Sequence, residues 1–344
     1  MPGPSDLPPV PEEQRYVRGH DGTRLFVRTA GPAGSWRVPS IAERREHREL
    51  QREERQQGRS DSDTPPPTSW RIDHEAARRT TARTAILCDG VLCDGFIWRH
   101  LFGALSRMMP VAHWNYRGHG RSAAPEDMTN LGPVAHGRDL SCVREAIGNP
   151  EVVLFGHSMG TQVALENYLQ NPEGVKGLVL MCGSFGRVTH TFRGLPLLEL
   201  MLPKILEFEQ KHPYILRALW SNLPTELAYN VASRMRDVDP DRIRHDDLLP
   251  YLQHQARMDP GLFLRMLREA GTHSVESKLA EIDVPVLIIA AELDTFTPAT
   301  LSVYMSEALP RARLVMVKGG SHVAPLEQPE LFENEIRTFL ESLT

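Results

Sequence analysis

The segment EVVLFGHSMGTQVALENYLQN, residues 151–171, gives the clearest indication of the fold. Its first five residues form a short, continuous apolar run, which is typical of a strand buried on both faces. Its last eleven residues are amphipathic and predict a helix. The pentapeptide GHSMG, residues 156–160, stands between the two. A serine is therefore predicted at a sharp turn from a strand into a helix.

Such a turn is the setting of a serine nucleophile. The turn holds the backbone in a strained conformation and projects the hydroxyl above the sheet. Gly156 and Gly160 would leave room for the strand and helix to cross closely, and the helix N-terminus stabilises developing negative charge. A GxSxG pattern alone is common by chance, but this one follows a strand and precedes a helix. We predict that Ser158 is the nucleophile and that His157 is a packing or supporting residue.

Similar apolar runs recur along the chain and alternate with amphipathic stretches. The runs are TAILC (84–88), VAHWNY (111–116), GLVLMC (177–182), VPVLIIAA (284–291) and ARLVMVKG (312–319). The amphipathic stretches cover residues 98–108, 134–147, 159–171 and 331–340. This alternation predicts an α/β fold in which helices flank a mostly parallel sheet whose strands are buried on both faces. A hairpin turning at Asp21-Gly22 is predicted to start the fold.

Two segments depart from this alternation. Residues 33–83 are rich in charges of both signs and predict an inserted, disordered segment, although its first half could be a solvated helix. Residues 184–279 contain no convincing strand and predict a helical cap inserted after the sixth strand. Its helices are expected to break at Pro196, Pro203, Pro213, Pro224, Pro240, Pro250 and Pro260. The predicted organisation is a flexible N-terminus (1–14), a core (15–183 and 280–344), the insertion and the cap.

Composition and charge exclude several classes of protein. Of the 344 residues, 41% are hydrophobic and 24% are charged, as in soluble globular proteins. The net charge of -5 provides no attraction to phosphate backbones, so nucleic acid is not expected as a partner. Four cysteines (Cys88, Cys93, Cys142 and Cys182) suggest buried free thiols rather than disulfides or a zinc site. With no signal sequence or membrane-spanning run, the protein is expected to be cytoplasmic.

A serine nucleophile needs a base, and the base needs an orienting carboxylate. The run VPVLIIAA is followed by Asp294, and ARLVMVKG is followed by His322. One helix and one strand separate these residues, so both are predicted at strand ends near Ser158. Asp294 could alternatively cap the next helix, and Glu292 is a rival acid. The backbone amides of Met159 and Val91, the latter in the loop after TAILC, are the expected oxyanion donors.

At these residues the chain resembles the α/β-hydrolase superfamily, in its branch with a helical cap that includes esterases, lipases, carbon-carbon bond hydrolases and cofactor-free haloperoxidases. NYRGHGRS (115–122) and HVAPLEQP (322–329) also resemble segments of that family, and the resemblance covers residues 16–343 apart from the insertion. It implies Ser158 as nucleophile, His322 as base and Asp294 as orienting acid, with no cofactor and no metal. It also implies that the insertion leaves the sheet at the end opposite the nucleophile.

Two residues depart from the family pattern. Asp89 stands where the family usually has a histidine before glycine, and a carboxylate beside an oxyanion hole opposes the developing charge unless it points away. Asn115 stands where the family usually has aspartate, which retains a capping oxygen and loses the charge. The first departure weakens the assignment of Val91, and the second should affect loop stability more than chemistry.

The expected function is hydrolysis of a carboxylic ester with a small or medium apolar acyl group, through an acyl-enzyme. The apolar stretch between Leu195 and Phe208 could line the substrate pocket or merely pack the cap onto the core. Carbon-carbon bond hydrolysis, thioester hydrolysis, perhydrolysis and acyl transfer share the same three residues, and a hydrolase-fold binding protein with little turnover is a further alternative. The expected partner is a small ester-like molecule, with neither nucleic acid nor a membrane; the oligomeric state stays open.

Overall fold

The structure is a computed structural model that describes residues 12–37, 79–191, 197–235, 237–243 and 245–343. The predictions for the first eleven residues, for residues 38–78 of the insertion and for a helix break at Pro196 lie outside the described residues. Within them, no helix is long and apolar enough to cross a membrane.

Eight strands form one sheet in the order β1-β2-β4-β3-β5-β6-β7-β8. Their bounds are β1 (Glu13–Arg18), β2 (Arg24–Ala30), β3 (Thr84–Cys88), β4 (Val111–Trp114), β5 (Val152–His157), β6 (Val175–Met181), β7 (Val286–Ala291) and β8 (Ala312–Val317). Strands β3 to β8 run parallel, and β2 pairs antiparallel with both β1 and β4. The predicted hairpin and the mostly parallel sheet are confirmed.

Helices occupy the intervals between the parallel strands, as the sequence predicts. Around the sheet lie α1 (Leu101–Met108), α2 (Pro133–Ala146), α3 (Met159–Gln170), α10 (Ala299–Ala308), α11 (Ala324–Glu327) and α12 (Pro329–Glu341). Between β6 and β7 lie α4 (Val188–Thr191), α5 (Leu197–Lys211), α6 (Pro213–Ser221), α7 (Thr225–Arg234), α8 (His245–Arg257) and α9 (Pro260–Thr272).

Apolar side chains are buried on both faces of the sheet. Every residue of β3, β4, β5 and β7 is buried, which explains why these strands read as continuous apolar runs. The same prediction is wrong for β8, in which only Val317 is buried. Strand β8 is the last strand of the sheet and pairs only with β7, so less of its surface is covered.

The helices between β6 and β7 form a segment that leaves and returns at one point. Gly186 and Ser274 form an antiparallel bridge there, so the two chain ends meet. The expectation that every proline breaks a helix is wrong at Pro203 and Pro250, which lie inside α5 and α8. Buried leucines on both helices, such as Leu206 on α5, contribute apolar burial that offsets the lost backbone hydrogen bond.

The charged insertion has its two ends close together. Arg37 and Arg79 pair through backbone hydrogen bonds of 2.8 and 2.7 Å. They follow β2, whose last residue Ala30 pairs with Val111 at the start of β4. Both ends therefore leave from the amino-terminal edge of the parallel strands, and Ser158 lies at the opposite edge, just after β5.

Candidate functional site

Ser158 occupies a strained turn between β5 and α3. Its φ of 55° and ψ of -122° lie outside the conformations that side chains usually adopt. Only glycine fits at the positions two residues before and two residues after it. A Cβ on Gly160 would overlap the backbone carbonyl of Cys88 in β3, and one on Gly156 would overlap the carbonyl of Gly160. The close crossing of strand and helix that these glycines allow holds the serine at the carboxyl edge of the sheet.

His322 and Asp294 come together at the same edge of the sheet. The Nδ1 atom of His322 lies 3.0 and 2.9 Å from the two carboxylate oxygens of Asp294. Since a carboxylate only accepts hydrogen bonds, Nδ1 carries the proton and Nε2 keeps a free lone pair. The Asp294 side chain is fully buried and the His322 ring is 12% exposed. The Asp294 carboxylate therefore fixes the orientation of the ring through Nδ1.

The Asp294 carboxylate is held by its own loop. Oδ1 accepts hydrogen bonds of 2.8 Å from the backbone N–H groups of Phe296 and Thr297, and Oδ2 accepts one of 2.8 Å from the Thr297 hydroxyl. The Phe296 ring lies 4.8 Å from the ring of His322. Asp294 therefore pairs with His322 and closes its own loop, but it does not cap α10, whose N-cap is Pro298. Glu292, the rival acid, instead accepts from the backbone N–H of Gly319 at 2.9 Å.

Glu327, to which sequence reasoning assigned no separate role, holds the loop that carries His322. Its buried carboxylate accepts from the backbone N–H of Ser321 at 2.8 Å and from the Ser321 hydroxyl at 2.5 Å. It also accepts from the backbone N–H of Asp239, in the helical segment, at 3.0 Å. One carboxylate therefore joins the histidine loop to the segment between β6 and β7. The only signal in the sequence was its place five residues after the histidine.

His157 also contacts the histidine loop. Its Nε2 donates to the backbone carbonyl of His322 at 2.9 Å, and the two rings lie 4.9 Å apart. Burial, aided by the neighbouring His322, lowers the pKa of His157 to about 3, so the ring is neutral at ordinary pH. Its Nδ1 atom is buried with no hydrogen-bond partner among the described groups. The structure thus places His157 as a support for the backbone of His322.

The loop after β3 brings Gly90 against Ser158. A Cβ on Gly90 would lie 3.0 Å from the Ser158 Cβ and 3.5 Å from its Oγ. The Val91 amide follows directly, and Met159 is the first residue of α3, where an N–H has no acceptor within the helix. Among the described residues, neither amide donates to a protein acceptor. Both N–H groups thus remain available beside Ser158.

The Asp89 carboxylate points away from these amides into a buried network. Its Oδ1 accepts from the indole N–H of Trp98 at 2.8 Å, and its Oδ2 lies 2.8 Å from Nε2 of His113. Arg28 donates to Nδ1 of His113 at 3.2 Å, so His113 carries its proton on Nε2 and donates to Asp89. The Tyr116 hydroxyl donates to the backbone carbonyl of Asp89 at 2.8 Å. The unusual aspartate therefore anchors the loop.

A second cluster of titratable groups resembles a metal site in composition only. Ligand atoms of His20, Asp21 and Asp139 lie within 4.8 Å of one another. The guanidinium of Arg117 already fills this position, donating to Asp139 at 2.7 and 2.9 Å and to Asp21 at 2.6 Å. Burial alone would raise the pKa of Asp139, but hydrogen bonds from His20 and Arg117 outweigh it and keep that pKa below its usual value. The cluster ties the first hairpin to α2.

The comparisons with known proteins agree with this architecture. A model of the alpha/beta hydrolase family matches residues 90–335. The chain is 26% identical over 276 residues to a protein of Pseudomonas savastanoi pv. phaseolicola (strain 1448A / Race 6) named as a carbamate hydrolase, RutD. That match covers 79% of this chain and 99% of the relative.

Two solved structures share the fold. An esterase from Exiguobacterium antarcticum superposes with a TM-score of 0.67 and 14% identity, over 96% of this chain and 100% of that one. An enol-lactonase from Burkholderia xenovorans LB400 superposes with a TM-score of 0.63 and 16% identity, over 95% and 99% of the two chains. At these identities the likeness concerns the fold alone. Because the family model matches more than half of its length, the chain belongs to the alpha/beta hydrolase family.

Proposed function

We propose that the protein is a serine hydrolase that cleaves carboxylic esters through an acyl-enzyme. The observation that carries this proposal is the pairing of Asp294 with Nδ1 of His322 at the sheet edge where Ser158 stands on its strained turn. In this arrangement Nε2 of His322 is left as the proton acceptor, and Ser158 is partly buried on its strained turn. Acyl transfer needs this combination of nucleophile, base and orienting acid.

The proposed reaction has two halves. Nε2 of His322 removes the proton of Ser158 while the serine oxygen attacks the carbonyl carbon, and the amides of Val91 and Met159 stabilise the oxyanion. The intermediate collapses, His322 gives its proton to the departing alkoxide, and the alcohol leaves. Water then attacks the acyl-serine with His322 again as base, and release of the carboxylic acid restores the serine hydroxyl. Asp294 stabilises the imidazolium formed in each half.

Carbamate hydrolysis is a second candidate, favoured by the relative named as a carbamate hydrolase, which matches over nearly its whole length. The same residues would attack a carbonyl bonded to nitrogen, and the intermediate would be a carbamoyl-serine. A carbamoyl-serine resists attack by water more than an acyl-serine does. An esterase would therefore release p-nitrophenol from a p-nitrophenyl carbamate in one burst, whereas a carbamate hydrolase would turn it over steadily.

The test uses p-nitrophenyl esters from acetate to palmitate with the wild type, Ser158→Ala and Ser306→Ala. Ser306, on α10, hydrogen-bonds a carbonyl of its own helix and no other group among the described residues, and it is the matched control. We expect Ser158→Ala to abolish turnover and labelling by a fluorophosphonate, and Ser306→Ala to keep both. The preferred acyl chain length measures how long a chain the substrate pocket accepts. If the wild type hydrolyses no ester of the series faster than Ser158→Ala does, and the fluorophosphonate does not label it, the proposal is overturned in favour of a binding protein.

A further inference from the structure

A cavity of about 500 Å³ opens at the carboxyl edge of the sheet, to one side of the candidate site. Its walls come from the end of α8, the turn into α9 and the loops after β3 and β4. The loop after β3 is the one that carries Val91, and Asp94 of that loop lines the cavity. In the sheet order, β3 lies between β4 and β5, so the cavity lies on the β4 side of Ser158. Two strand spacings separate β4 from β5, so the cavity lies roughly 10 Å from Ser158.

Two arginines of this cavity have no acidic partner in the described part of the chain. None of the described carboxylates forms an ion pair with Arg121 or Arg257, although other arginines nearby do. Arg121 donates to the amide oxygen of Gln14 at 2.5 Å and lies over the ring of Phe26. Both of these contacts are with uncharged groups. Arg257 is an exposed residue in the last turn of α8.

The two carboxylates of the cavity wall, in contrast, already have partners. Asp259 caps α9 by accepting from the backbone N–H of Leu262 at 2.9 Å and lies 3.7 Å from Arg217. Asp94 lies 3.5 Å from Nδ1 of His254. Arg217 lies outside the cavity wall and pairs with Asp259, which leaves Arg121 and Arg257 in the wall with the one remaining carboxylate, Asp94. Among the described residues, the wall therefore has one positive charge more than is balanced, which suits a singly charged anion.

We propose that this cavity binds a carboxylate at the far end of the ester substrate, with Arg257 and Arg121 as its cationic partners. A guanidinium presents paired N–H donors that match the two oxygens of a carboxylate. The offset from Ser158 separates the bound carboxylate from the carbonyl under attack by several carbon atoms. This inference rests on the proposed function and sharpens it, since the substrate becomes an ester of an acid that carries a second, free carboxylate.

The test compares two p-nitrophenyl esters of equal chain length, the hydrogen suberate, which ends in a carboxylate, and the octanoate, which ends in a methyl group. The quantity measured is the ratio of their kcat/KM values. In Arg257→Gln we expect this ratio to fall about 10- to 100-fold, mainly through KM, which is the range for losing a charge-assisted hydrogen bond. Arg121→Gln should lower it in the same direction. Arg234→Gln, an exposed arginine of α7 outside the cavity wall, should leave it unchanged.

A second measurement separates this inference from the proposed function. Free suberate should raise the melting temperature of Ser158→Ala, and the added Arg257→Gln substitution should remove that rise; neither result depends on turnover. If the wild type hydrolyses octanoate but the ratio is the same in Arg257→Gln and Arg121→Gln, the carboxylate site is wrong and the esterase proposal stands. If neither ester is hydrolysed but suberate still stabilises the protein through Arg257, the esterase proposal fails and the anion site stands.

Discussion

The loops at the carboxyl edge of the sheet and the helices α6 and α7 are held in different ways. Asp294, Asp89 and Glu327 are buried, and each holds its loop through two or more hydrogen bonds. In contrast, neither α6 nor α7 contains a buried residue, and Leu219 on α6 is 65% exposed. The carboxylates that hold these loops are thus packed in the interior, whereas α6 and α7 bury less of their surface. Substitutions in the two regions should differ accordingly in effect.

The largest effect is expected at Asp294. In Asp294→Asn the side chain no longer carries the charge that stabilises the imidazolium, and its amide N–H group opposes the N–H of His322. We expect kcat/KM for a p-nitrophenyl ester to fall about 1,000- to 10,000-fold. The melting temperature should fall only modestly, because the amide oxygen can still accept from the loop. Steady-state kinetics and thermal melts measure the two effects.

Glu292→Gln is the matched control, since Glu292 lies two residues earlier and its carboxylate faces a backbone amide. It should change kcat/KM by less than about threefold, as expected for a substitution at the surface. The reverse pattern, with a large loss in Glu292→Gln and a small one in Asp294→Asn, would mean that the rival acid orients the base.

An intermediate effect is expected at Asp89. In Asp89→Asn the amide can accept from Trp98 or from His113, but its NH₂ group then faces a donor. An unsatisfied buried donor costs about 1–3 kcal/mol of stability. Because Asp89 begins the loop that carries Val91, we also expect kcat/KM to fall about 10- to 100-fold, less than for complete loss of one oxyanion donor.

Two readouts separate positioning of the loop from stability alone. The loss should lie in kcat more than in KM, and affinity for a trifluoromethyl ketone, which mimics the tetrahedral intermediate, should fall with kcat. Trp98→Phe removes one of the two side-chain donors to Asp89 and should give a smaller loss. Unchanged kcat in Asp89→Asn together with a lower melting temperature would show that the network serves folding only.

The smallest effect is expected on α6. Leu219→Ala should change the free energy of unfolding by less than about 0.5 kcal/mol, since the side chain is exposed. Leu178→Ala, the same substitution at a fully buried position in β6, should cost about 2–5 kcal/mol. Urea unfolding of both variants gives the comparison directly. A cost above about 1 kcal/mol at Leu219 would show that α6 is covered in the folded protein, against the contrast drawn between the two regions.

Much of the architecture could be predicted because the strands are short apolar runs with a long amphipathic helix between them. Val152–His157 and Val286–Ala291 lie within one or two residues of their predicted bounds. The prolines were less reliable guides, since Pro203 and Pro250 lie inside helices. Local propensity disfavours a helix with an internal proline. Burial against neighbouring helices allows it, and a single sequence does not reveal that burial. The position of β8 at the edge of the sheet could not be predicted either, because it also depends on which elements are neighbours in the folded chain.

The order of strands and helices, and the choice of Ser158, Asp294 and His322 as candidates, could be predicted from the amino-acid sequence alone. Both depend on local pattern and on the residues directly after each strand. The direction of the Asp89 carboxylate could not be predicted in this way, because Trp98 and, from another strand, His113 set it.

The support of the histidine loop likewise became visible only in the folded chain. His157 and Glu327 both hold that loop, through the carbonyl of His322 and the amide of Ser321. The contacts of His157 and of His113 join residues far apart in the chain, and they exist only once the sheet has brought its strand ends together.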